Sequence, residues 1–294
     1  MSISSLQEKL EKGDFVITAE IGPPKGTNVD PCIEEADTYL KSGCTAINVT
    51  DNQSSVMRFG SMGGCVKLLE HGHEPVLQMV CRDRNAIALQ SDAISAFGLG
   101  IRNVLAITGD HQTMGDHPQA AGVFDLDSVG LLRALSDLES GKDLSGNELD
   151  GSPEFFKGAV VTPCANPVEP QIIKMEKKIT AGAQFFQTQA VFDAEQFGSF
   201  MESVKEFDVP VLAGIVLLKS AGMAKFMNNN VAGVRVPEEM IKKMADASKE
   251  ERAATSIEIA AGLIRELKDT CSGIHIMSLG WEKHIPAVLE KAGI

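Results

Sequence analysis

Short apolar, β-prone runs alternate along the chain with longer stretches whose apolar residues recur at helical spacing. The short runs are FVITAEI (15–21), AINVTD (46–51), PVLQMVC (75–81), NVLAITG (103–109), GAVVTP (158–163), FFQTQ (185–189), PVLAGIVLL (210–218) and IHIMSLG (274–280). Their residues are apolar on both faces, as in strands covered by helices outside and by side chains inside. Amphipathic segments such as PCIEEADTYLKSG, NAIALQSDAISAFGLG and EPQIIKMEKKITAGA lie between them, several closing on a glycine suited to a left-handed helix cap. Eight such repeats predict an α/β protein built as a single (β/α)8 TIM barrel, with a doubly wound sheet as the alternative. No Pro/Ser/Gly-rich linker, low-complexity tract or strong internal repeat interrupts the pattern, so residues 1–294 are expected to form one domain.

Composition narrows the partners. With 44% hydrophobic and 23% charged residues the chain can bury a large core without staples. Its 40 acidic residues outnumber 27 basic ones, and the net charge of -13 would repel a nucleic acid. The same acidity serves solubility or a docking surface for a redox partner, and sequence does not separate the two. Cys32, Cys44, Cys65, Cys81, Cys164 and Cys271 form no CxxC and no Cys/His pair at ligand spacing, so reduced thiols and no metal site are expected. The N-terminal MSISSLQEKLEKGDF lacks a signal-peptide core, and no run approaches about eighteen apolar residues, so no membrane span and a cytoplasmic location are expected.

In a (β/α)8 barrel the chemistry gathers where the strands end, because the loops there converge on one mouth. The polar residues at those ends are Glu20; Thr50, Asp51 and Asn52; Gln78, Cys81, Arg82 and Asp83; Thr108 and Asp110; Thr162 and Asn166; Gln187 and Gln189; His275 and Ser278. The loop 111–125 follows the fourth strand and lies on this active face, whereas 140–154 precedes the fifth strand. Two carboxylates, Glu20 and Asp110, can act as proton donor and cation stabiliser if their surroundings separate their pKa values. The structural alternatives are an ion pair for Glu20 and a turn or N-cap for Asp110.

AEIGPP, NVTDN, QMVCRDRN, LAITGDH, AGAQFFQTQAVFD, GVRVPEEM and GIHIMSLGW, in this order and spacing, resemble the flavin-dependent methylenetetrahydrofolate reductases across the whole barrel. The form is similar to the short bacterial and anaerobic members. The resemblance implies reduction of 5,10-methylenetetrahydrofolate to 5-methyltetrahydrofolate through a bound flavin. Glu20 is implied as the general acid for N10, and Asp110 as the charge that stabilises the N5 iminium and tunes the flavin. Gln189 of the TQ pair is implied to bind the pterin. Phe226, in AKFMNN, is implied to pack beside the folate or a nicotinamide, against plain core packing as the alternative. Thr50, Gln78, Thr108, Asp110 and Lys178 are the implied flavin contacts, Lys178 meeting a phosphate. No GxGxxG opens a helix, in keeping with a flavin held by barrel loops.

The chain departs from the family pattern at several positions. Gln78 stands where many members carry histidine, and Thr108 where they carry arginine. The eighth strand lacks the usual aromatic ending, and Tyr39 is the single tyrosine. FAD and FMN therefore both remain as cofactor, and NADH, NADPH or an electron-donating partner subunit as donor. A homo-oligomer is expected. Rival readings are a flavin-binding electron-transfer subunit and a flavin-free, pterin-dependent methyltransferase.

Overall fold

The computed structural model describes residues 3–294. Eight parallel strands, β1 (Val16–Ile21), β2 (Ala46–Val49), β3 (Pro75–Val80), β4 (Asn103–Ile107), β5 (Phe156–Val161), β6 (Phe185–Ala190), β7 (Val211–Val216) and β8 (Gly273–Met277), close into a barrel in chain order. The (β/α)8 expectation holds, and the doubly wound alternative is excluded by the β1–β8 pairing of Thr18 with His275. Several strands stop earlier than their apolar runs: β2 ends at Val49, β4 at Ile107 and β7 at Val216. Beyond β7, Leu217 and Leu218 stay buried in the core outside the ladder.

The helices are α1 (Ser5–Glu11), α2 (Asp30–Lys41), α3 (Ser61–Glu70), α4 (Ala86–Gly98), α5 (Ser128–Glu139), α6 (Glu169–Thr180), α7 (Ala194–Val204), α8 (Ala221–Asn230), α9 (Glu238–Asp246), α10 (Arg252–Leu267) and α11 (Ile285–Ala292). Gly43 and Gly100, just beyond α2 and α4, have φ of +89° and +96°, a conformation that disfavours any Cβ. None of the described helices is long and apolar enough to cross a membrane.

Strand alternation sorts the interior into levels. At the closed end, Val16, Ala46, Val76, Leu105, Phe156, Phe185 and Leu212 form a dry floor, plugged by Leu6 and Leu10 of α1. Each buried leucine of that plug contributes roughly 1.5–3 kcal/mol. Glu74 holds the plug in place by accepting from the backbone N–H groups of Ser5 at 2.7 Å and Leu6 at 2.8 Å. The Phe156 and Phe185 rings stack 4.7 Å apart, and a Cβ on Gly158 would stand 2.3 Å from the Phe185 ring. Glycine is therefore the residue that lets the aromatic floor close.

Candidate active site

Moving two residues along β1, β2 and β6 from the floor replaces hydrocarbon by polar groups, and His275 of β8 pairs beside Thr18 at that level. Thr18, Asn48, Gln187 and His275 are all buried there. Asn48 Nδ2 donates to Gln187 Oε1 at 2.7 Å, and Gln187 Nε2 returns a hydrogen bond to Asn48 Oδ1 at 3.1 Å. Gln187 Nε2 also reaches Thr18 Oγ1 at 3.3 Å, and that hydroxyl lies 3.0 Å from His275 Nδ1. Partners for each buried group remove the penalty that unpaired polar atoms would carry.

Glu20 stands one inward position above Thr18, its side chain 12% exposed. Oε2 lies 3.6 Å from His275 Nε2, while Gln53 Nε2 donates to Oε1 at 3.4 Å. The acid thus sits at the base of the mouth, close to water yet facing an imidazole. Asp110 differs in every respect: it is exposed, and it follows Gly109, whose φ of +92° turns the chain out of β4. A Cβ on Gly109 would stand 2.2 Å from Val80, so the turn accepts only glycine. The two carboxylates occupy one face of the barrel in unlike surroundings, the condition for dividing acid and stabilising roles.

Thr50 lies one inward position above Asn48, and its buried Oγ1 has no hydrogen-bond partner. An orphan hydroxyl at the mouth suits a ligand that bears both donors and acceptors. Gln78, buried one inward position above Val76, belongs to the same rim. Gln189 lies where the β6–β7 register shifts between Gln187 and Ala190. Such a bulge re-aims a side chain. Gly214 permits it, because a Cβ there would lie 2.5 Å from Thr188 O and 2.8 Å from Gln189 O.

Three implied contacts, Thr108, Lys178 and Phe226, differ in their surroundings. Thr108 follows inward-facing Ile107 and so faces outward; its Oγ1 accepts from Ser128 N at 3.0 Å and secures the start of α5. Lys178 is buried, and its amine donates to Val160 O at 2.5 Å. Burial, aided by the positive charge of Lys174, lowers its pKa to about 8. Phe226, beyond the first turn of α8, is 61% exposed, which sets aside plain core packing. Ala221 opens α8 after the Ser220 cap.

Strand-end polarity also includes structural residues. Asp51 accepts from Val80 N at 2.9 Å and binds Arg84 at 2.7 Å, so it fastens β2 to β3 outside the mouth. Conversely, Thr18 and Asn48, which were not among the strand-end residues singled out from the sequence, join Gln187 and His275 in the polar level beneath Glu20. Their sequence signal is the i, i+2 run of inward polar residues: Thr18 then Glu20, and Asn48 then Thr50.

The methylenetetrahydrofolate reductase family model matches residues 5–293. Methylenetetrahydrofolate reductase 2 of Schizosaccharomyces pombe is 24% identical, over 100% of this chain and 48% of its own length. The 5,10-methylenetetrahydrofolate reductase of Salmonella typhimurium is 25% identical, over 96% of this chain and 92% of its own. The chain thus spans about half of the fungal relative and nearly all of the bacterial one. An uncharacterized Clostridium thermocellum protein that binds two copies of 5-methyl-5,6,7,8-tetrahydrofolic acid shares the fold, with a TM-score of 0.62 at 16% identity over 98% of each chain. The chain belongs to the methylenetetrahydrofolate reductase family.

Proposed function

We propose that this protein is a flavoprotein oxidoreductase that reduces 5,10-methylenetetrahydrofolate to 5-methyltetrahydrofolate. The observation that carries this reading is the mouth itself: shielded Glu20 beside His275, with exposed Asp110 at the end of β4. Family membership supplies the substrate class, and the folate-binding Clostridium thermocellum neighbour is in keeping with it.

Glu20 protonates N10 as the methylene bridge opens, breaking the C–N10 bond and leaving a cationic iminium at N5. Asp110 stabilises that cation by its charge. Gln189, carried on the bulge, hydrogen-bonds the pterin and fixes its orientation. The polar level beneath Glu20 keeps the acid from sinking into the hydrocarbon floor.

The residues present fit a flavin. The orphan hydroxyl of Thr50 and the buried amide of Gln78 meet its ring edge. Lys178 of α6, whose amine donates to Val160 O of β5, would meet a phosphate. When bound, the flavin supplies the two-electron reduction of the iminium carbon. FAD or FMN serves this purpose, with electrons from NADH, NADPH or a partner subunit.

Anaerobic titration of the purified protein with NADH, NADPH and methyltetrahydrofolate, followed through the flavin spectrum, tests cofactor, donor and substrate together. A yellow protein bleached by a nicotinamide and reoxidised by methylenetetrahydrofolate supports the proposal. A colourless protein that binds methyltetrahydrofolate and takes up no added flavin defeats it.

A further inference from the structure

Arg82, at the exit of β3, is 2% exposed and gathers three loops of the mouth. Its Nε donates to Asp83 Oδ1 at 2.7 Å and Nη2 to Asp83 Oδ2 at 2.8 Å, a fork that fixes the guanidinium plane. Nη2 also donates to Asn52 O at 3.2 Å, in the loop after β2. Nη1 donates to Ser55 Oγ at 2.9 Å and to Asp110 O at 3.2 Å, across to the loop after β4. Ser55 Oγ lies 3.1 Å from both Asp110 O and His111 O, closing a small ring of contacts.

The loop after β2 is held in a conformation it would not choose alone. Asn52, Ser54 and Ser55 have φ of 45°, 55° and 59°, each costly for a residue with a Cβ. The Arg82 contacts to Asn52 O and Ser55 Oγ bind this turn at both ends. The loop after β4 packs tightly on it, since a Cβ on Gly115 would lie 1.7 Å from Ser55 O. Asp110 itself is exposed, so its field at the reacting cation depends on where the backbone holds it.

We propose that Arg82, with Ser55 as its relay, is a positioning residue for Asp110, the carboxylate that faces the folate cation. The inference rests on the function proposed above. Lysine cannot replace the fork, since one ammonium cannot serve Asp83, Ser55, Asn52 and Asp110 in a single plane.

The test is a double-mutant cycle on the flavin-loaded protein: wild type, Arg82→Met, Asp110→Asn and the pair. Photoreduced flavin is mixed anaerobically with methylenetetrahydrofolate, and the flavin potential is measured separately. Arg82→Met is expected to slow folate reduction about tenfold, and to raise the flavin potential in the same direction as Asp110→Asn. The pair should react no more than about threefold slower than Asp110→Asn alone, because the lost interaction is shared. Arg82→Lys should recover only part of the rate. Should Arg82→Met fail to fold, Ser55→Ala removes one hydroxyl and is expected to slow the step about threefold, again without adding to Asp110→Asn.

Effects that multiply in the cycle, or a wild-type rate in Arg82→Met or Ser55→Ala, overturn the positioning role while an active wild type leaves the function intact. A wild type lacking flavin or folate turnover overturns both.

Discussion

The Nε2 of His275 stands 3.6 Å from Oε2 of Glu20, and the other ring nitrogen lies 3.0 Å from Thr18 Oγ1. The first distance is too long for a hydrogen bond, so the coupling is electrostatic until a ligand tightens it. Its sign follows the tautomer. With Thr18 donating to Nδ1, Nε2–H faces Glu20; with Nδ1–H donating to Thr18, the Nε2 lone pair faces it.

Glu20→Gln is expected to leave flavin reduction by the electron donor within a few-fold of wild type. Folate turnover should fall by about a thousandfold or more, because only that half-reaction needs the proton. Stopped-flow measurement of the two half-reactions decides; equal loss in both removes Glu20 from the role of acid.

Asp110→Asn removes a negative charge from the mouth and so is expected to raise the flavin potential. It should also slow methylenetetrahydrofolate reduction about a hundredfold as the iminium loses its counter-charge. Spectroelectrochemistry and stopped flow read the two effects, and an unchanged potential with an unchanged rate would place Asp110 outside the site.

Thr108→Val leaves Ser128 N without its side-chain acceptor at the start of α5. The expected cost is about 1 kcal/mol of stability. Urea unfolding measures it. Loss of flavin affinity at an unchanged unfolding midpoint would return Thr108 to the flavin site.

Glu35 on α2 predicts a pH dependence. Burial raises its pKa from 4.5 to about 7, with the negative charges of Glu282 and Glu20 adding to the rise, against hydrogen bonds from Tyr39 and Ser278. The native state therefore binds this proton more tightly than the unfolded chain. The stability it lends is complete below the unfolded value of 4.5 and is lost as pH rises through about 7. Glu35→Gln should flatten that decline and stabilise the protein at pH near 8 by about 2 kcal/mol. Thermal midpoints of both proteins across pH check it; parallel curves would show that Glu35 titrates alike in the native and unfolded chain.

Much of the barrel was legible because strands buried on both faces leave an unmistakable apolar run, and helices between them keep a different period. The mouth was legible as a set of strand ends, and Glu20 and Gln189 could be read there because their inward parity follows from their own strands. Thr108 and Lys178 could not be placed that way. Whether a strand-end hydroxyl faces a ligand or a helix N-terminus depends on where the ladder stops, and a lysine's direction depends on the wall behind it. The exposure of Phe226 was not legible for a related reason: the loop after β7 sets where α8 begins, and that loop carries no strong periodic signal.

The amino-acid sequence by itself determined the number and order of strands and the acids that close β1 and β4, since both follow from local periodicity. Only the tertiary structure decided that His275 of β8 meets Glu20 of β1, and that Arg82 beyond β3 reaches Asp110 beyond β4. These pairs lie 255 and 28 residues apart and are joined by barrel closure and loop packing, which no local pattern encodes.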